Sequence, residues 1–160
     1  MDVWLCNNWK NFYECYDKER RAGIRFRFDK NVNPEVKQGI IKFSKWLRNN
    51  YEFPKRVIVY VKETNRIRAK DGDLVVGTFW RPFDRKKEPY VRIATGDYEE
   101  LLKEISKESA ITSIIFSLFH ELTHYFQWLN NLNLTLVGEE HQATVYARIR
   151  CSEYLESKSY

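Results

Sequence analysis

Residues His120-Glu121-Leu122-Thr123-His124 bring together side chains that can bind and use a metal ion. Histidines four apart on a helix stand one turn above each other on one face, so their imidazoles can fill two corners of a tetrahedral zinc site. Glu121 follows the first of them directly and falls beside that site, where a carboxylate can take a proton from a metal-activated water. Zinc lowers the pKa of such a water to about 7, which suits the combination to hydrolysis near neutral pH, most often of a peptide bond. The whole chain has three histidines, and two of them stand in this pattern.

The element carrying the motif has to be a largely buried helix. From about Ser109, the residues Ile111, Ile114, Ile115, Leu118, Phe119, Leu122, Phe126 and Leu129 recur at helical spacing around it. Polar side chains on such a helix need partners, because unpaired buried polar groups are costly, and a metal supplies one. A third protein ligand must come from elsewhere. Asn130 to Asn133 and Val137-Gly138 are expected to break the helix, and a second one to begin at Glu139. Glu139, Glu140 and His141 are the candidates there. Glu140 shares a face with Ala143, Ala147, Cys151 and Tyr154, a small and apolar stripe able to pack closely on the motif helix. Glu139 is rotated about 100° from that line, and His141 is rotated the other way, in line with Val145 and Arg148. The spacing selects Glu140.

His120-Glu121-x-x-His124 followed by Glu140-x-x-Ala143-x-x-x-Ala147 resembles the gluzincin metallopeptidases, in particular the small minigluzincins and the ImmA/IrrE-type peptidases. The resemblance implies a zinc site held by His120, His124 and Glu140, with Glu121 as general base. It also implies a small zincin-like fold: a mostly antiparallel twisted sheet backed by helices, among them the motif helix and the glutamate helix. Relatives often carry Asp or Asn four residues after the third ligand to hold a histidine; Thr144 stands at that place and would accept a weaker bond. Gly77-Thr78-Phe79-Trp80 is similar to the end of the edge strand along which thermolysin-like enzymes lay their substrate, with glycine where those enzymes have asparagine. On that likeness these four residues would bind an extended peptide by strand addition.

The surrounding elements read as an α+β chain, taken as one domain over 1–160, with residues 1–23 as an extension of unassigned structure. Ile24 to Phe28 alternates as a strand, Pro34 opens a helix through Leu47, and Arg56 to Lys62 is a β-branched strand. Leu74 to Trp80 and Tyr90 to Ala94 read as further strands, and Asp97 as the cap of a helix carrying Leu101, Leu102 and Ile105. Charged residues at 31% and apolar ones at 43% are those of a water-soluble chain, and no run approaches the roughly eighteen apolar residues of a membrane span. The absence of a secretory signal and the odd, scattered Cys6, Cys15 and Cys151 point to reduced thiols in the cytoplasm.

Two rival functions arise from the same residues. The net charge of +5, with Lys18-Glu19-Arg20-Arg21, Arg25 and Arg27 near aromatics, raises nucleic-acid binding with a structural or vestigial zinc site. Interleaved acidic residues and the lack of a known binding motif argue against nucleic acid as the partner and for a protein or peptide substrate. The other rival is a latent peptide binder, its cleft closed by the segment from Ser152 to Tyr160. Tyr125, His141 and Tyr146 are the candidate donors to an oxyanion, each equally readable as structural.

Overall fold

The computed structural model describes residues 1–13 and 20–158, so Cys15, Lys18 and Glu19 of the sequence reading lie outside the described residues. In chain order the elements are α1 (Lys10–Tyr13), β1 (Ile24–Phe28), α2 (Pro34–Asn50), β2 (Val57–Lys62), β3 (Ile67–Arg68), β4 (Leu74–Val75), β5 (Gly77–Trp80), β6 (Tyr90–Ala94), α3 (Tyr98–Leu101), α4 (Lys107–Leu129) and α5 (Leu136–Ser157). β1, β2, β6 and β5 lie side by side in that order, and β3 and β4 form a separate antiparallel hairpin.

The expected α+β class holds, but the sheet is mostly parallel, not mostly antiparallel. β1 pairs with β2 in parallel and β2 with β6 in parallel; only β5 runs antiparallel, against β6. The reason lies in the connection from β1 to β2. Parallel neighbours need a crossover, and α2 supplies one: Pro34 begins it, and the Asn33 side chain accepts a hydrogen bond from the Glu35 amide at 2.8 Å. β2 and β6 alternate between buried and half-buried positions, so Val57, Val59, Val61, Val91 and Ile93 meet the apolar faces of α2 and α4.

Three boundaries also differ from expectation. The run from Leu74 to Trp80 breaks at Val76, because Leu74–Val75 pairs with β3 while Gly77–Trp80 pairs with β6. The helix after Asp97 is a single turn; the Asp97 side chain does not cap it but pairs with Arg66. Val137-Gly138 does not interrupt α5, which starts earlier, where the Thr135 hydroxyl accepts the Gly138 amide at 3.0 Å. α4 starts in the same way, with the Ser106 hydroxyl accepting the Ser109 amide at 3.1 Å.

The N-terminal segment is built into the core beneath the motif helix. Val3, Trp4, Trp9 and Tyr13 are buried. The Trp4 indole packs against Phe119 and Phe126 at 5.8 and 4.6 Å between ring centroids, and its Nε1 donates to Thr123 Oγ1 at 3.0 Å. The Trp9 amide donates to Asn130 Oδ1 at 3.1 Å, close to the end of α4. The motif-bearing half of α4 and its C-terminal cap are therefore held from behind. Trp4→Ala should lower the free energy of unfolding by about 3–5 kcal/mol, as other buried aromatic truncations do. Denaturant titration checks this, and a loss under about 1 kcal/mol would mean the segment is not part of the core.

Candidate metal centre

α4 and α5 pack along each other, and the donors come from both. The first turns of α5 bring Glu140 over the imidazoles of α4. Its Oε2 lies 3.1 Å from His120 Nε2 and its Oε1 lies 3.0 Å from His124 Nε2. One ligand atom from each of the three residues falls within 4.8 Å of the others, so together they can hold a metal ion. For bonds of about 2.0–2.1 Å at tetrahedral angles, neighbouring ligand atoms are separated by about 3.3 Å, close to these spacings. The Glu140 side chain is 65 % exposed, which leaves the outer side of the site open to solvent.

The hydrogen-bond network behind the site fixes how His124 presents itself. Gln127 Nε2 donates to the Glu139 carbonyl at 3.0 Å and to Gln142 Oε1 at 2.9 Å, so its Oε1 remains as acceptor. That oxygen sits 2.8 Å from His124 Nδ1, which therefore carries the ring proton. The His124 Nε2 lone pair then points at a carboxylate oxygen 3.0 Å away. A proton or a metal ion lying between these two atoms satisfies both, and two imidazoles with one carboxylate are a donor set that suits zinc. Burial, and next the neighbouring His124, lower the pKa of His120 and favour the neutral ring that a metal needs.

Glu121 is buried beside the triad on the edge-strand side. Burial first, and then the charge of Glu140, push its carboxyl up to about 8. Space for it depends on Gly77: a Cβ there would lie 3.1 Å from both Cγ and Oε1 of Glu121. Glycine lets β5 run against the carboxylate. These groups open into a cleft of about 910 Å³, lined along one wall by Gly77, Thr78, Phe79 and Trp80 and along the other by Phe116, Ser117, His120, Glu121 and His124. At one end Arg81 grips Glu139 through paired bonds of 3.0 Å each, tying the end of β5 to the start of α5. Glu139, passed over as a ligand, thus has this ion pair as its partner.

The four strand residues divide by face. Phe79 turns inward onto Tyr125 and Trp128, whereas Thr78 and Trp80 lie on the opposite face of the sheet with Arg92 and Tyr90. Thr144 lines a shallow groove with Leu136, Val137, Glu140 and His141; the contact orienting His124 comes from Gln127. Gln127 was not singled out in the sequence, although it stands one turn after His124 on the same helix face, a position that could have flagged it. The three candidate oxyanion donors lie elsewhere. The Tyr125 hydroxyl is buried and donates to the Lys55 carbonyl, Tyr146 donates to the Met1 carbonyl, and His141 faces the shallow groove. Residues 152–157 are the last turns of α5, with Tyr154 packed on Phe43 and Trp46, away from the cleft.

No family model, no curated protein and no solved structure matches the chain. What stands of the family resemblance is the triad itself, two histidines and a glutamate in the arrangement of a zinc site of the HExxH-plus-glutamate kind.

Gln127→Leu should weaken zinc affinity by about 10–100-fold, measured by competition with a chromogenic chelator, because outer partners of metal-bound imidazoles typically contribute that much. Affinity equal to wild type would mean Gln127 does not orient His124. In the metal-free protein Glu121 keeps its proton up to about pH 8, whereas an unfolded glutamate releases it near about pH 4.3. The folded state thus binds the extra proton in that window, and stability falls as pH rises through it. Thermal melts in chelator should show the fall, and Glu121→Gln should flatten it.

Proposed function

We propose that the chain is a zinc-dependent metallopeptidase of the gluzincin type, hydrolysing peptide bonds in protein or peptide substrates. The observation that carries this reading is the convergence of His120 Nε2, His124 Nε2 and the Glu140 carboxylate within 4.8 Å, with Glu121 beside them in an open cleft. His120, His124 and Glu140 would hold the ion. Zinc bound there supplies Lewis acidity and brings the pKa of a coordinated water close to neutral.

The protein's own groups account for the remaining steps. Glu121, on α4, is held against β5 at Gly77, and in the metal-free protein burial raises its carboxyl pKa. Beside a bound zinc ion the carboxylate form would be favoured, and it can accept a proton from the attacking water and return it to the leaving amine. β5 ends the sheet and borders the cleft, so an extended substrate can add to it as a further antiparallel strand. In that pose Gly77, Thr78, Phe79 and Trp80 grip the peptide mainly through their backbone. Such binding aligns the scissile carbonyl without demanding one particular side chain. Cys6 and Cys151, both buried and unpaired, suit a reducing compartment such as the cytoplasm. Among the described residues, no helix is long and apolar enough to cross a membrane.

Glu121→Gln keeps the size and hydrogen-bonding capacity of the side chain but cannot take a proton. It should retain zinc and fold while losing cleavage of a diverse peptide mixture by at least about 100-fold, the usual scale for a general base. The wild type should lose the same activity in chelator and regain it with added zinc. Cleavage by the variant at the wild-type rate would remove Glu121 as the base.

A further inference from the structure

The sheet has a second face, turned away from the metal ligands, whose β5 edge also borders the cleft. Helices α2 and α4 cover the side bearing Val57, Val59, Val61, Val91 and Ile93. The alternating residues point the other way, and the strand register sets them in two ranks. Arg25, Ile58, Tyr90 and Trp80 align across the strands, and Arg27, Tyr60, Arg92 and Thr78 align beside them. Strands about 4.8 Å apart make each rank roughly 14 Å long. Arg25 and Arg27 are exposed, and the others are only partly buried.

This face has a consistent chemistry. Its aromatic rings form a continuous strip: Trp80 stacks on Tyr90 at 5.2 Å with 25° between planes, and Tyr60 meets Tyr90 edge-on at 5.7 Å. Cations surround the strip. Lys70, from the turn between β3 and β4, lies 5.7 Å over the Trp80 ring. Arg92 is held in place by Thr78 and by the Arg68 carbonyl, while Arg25 and Arg27 enter no ion pair among the described residues. Of the acids bordering it, Asp29 pairs with Lys62 and Glu88 with Arg21.

We infer that this open face binds single-stranded nucleic acid, with unpaired bases stacking at the Tyr60 end of the Tyr60–Tyr90–Trp80 strip and phosphates meeting Arg25, Arg27 and Lys70. Sheet surfaces with exposed aromatics stack two or three unpaired bases, and flanking arginine and lysine neutralise the backbone. The net charge of +5 adds a general attraction for polyanions. Duplex fits poorly, since its bases are paired and cannot reach the rings. The face meets the metal cleft at β5, because Trp80, Tyr90 and Arg92 line both. A bound strand would therefore run up to the edge where the proposed peptide substrate adds.

The test uses the full chain and a fluorescent single-stranded oligonucleotide of roughly 12 nucleotides, within the usual site size for such surfaces. Anisotropy should report binding at about 50 mM salt, with affinity falling roughly 20-fold at about 200 mM if three phosphates are neutralised. The Arg25→Glu/Arg27→Glu double variant should lose at least about tenfold, and Tyr60→Ala about 5- to 100-fold, with circular dichroism unchanged. A duplex of the same length should bind more weakly. The inference is overturned if the wild type shows no binding at the lower salt, or if both variants bind as wild type. It is equally overturned if the duplex, or an acidic peptide of equal charge, binds as tightly as the single strand.

Discussion

The arrangement turns on an electrostatic problem set inside a hydrophobic helix. α4 is apolar enough to be buried along most of its length, yet it carries His120, Glu121 and His124 on the face turned to α5 and β5. Gln127 claims the Nδ1 proton of His124, so a lone pair is left aimed at the carboxylate of Glu140. Acceptors that face one another repel, and a shared metal ion or proton relieves the repulsion. The rest of the fold serves to hold these groups where that problem arises. The N-terminal tryptophans fasten α4 from behind, Gln127 links it to the start of α5, and Arg81 fastens α5 to the edge strand.

The same constraint explains the residues that seem out of place. Gly77 interrupts a β-branched run because any side chain there would press on Glu121. Glu139 is buried and charged, and it is tolerable because a guanidinium meets it through two bonds. Thr123 lies inside the motif at a fully buried position, where its hydroxyl accepts from Trp4 and donates to the Phe119 carbonyl. None of these roles concerns binding a metal directly, yet each sets the position of a group that would.

Much of this was legible in the residues. The triad followed from helical spacing alone, since Glu140 but not Glu139 or His141 shares a line with the small residues that let the helices approach. The strands at 24–28, 57–62 and 90–94 followed from their alternation and β-branching. Strand direction did not, because the family resemblance suggested antiparallel pairing while the strand–helix–strand order from Ile24 to Lys62 already contained a parallel crossover. The β3–β4 hairpin was missed because two-residue strands leave almost no periodic signal. The partner of His124 was missed as well. The resemblance points to Thr144 on α5, whereas Gln127, one turn further along α4, makes the contact to His124. The aromatic ranks of the open face could not be seen at all until the register aligned residues from separate strands.

The central claim is that two imidazoles and one carboxylate from neighbouring helices share a single open zinc ion. X-ray absorption at the zinc edge of the protein loaded with one equivalent of metal tests it most directly. The account predicts two nitrogen ligands of imidazole type and carboxylate oxygen at about 2.0–2.1 Å, and loss of that oxygen signature in Glu140→Ala. A sulfur-containing shell, or a spectrum unchanged by removing Glu140, would contradict it.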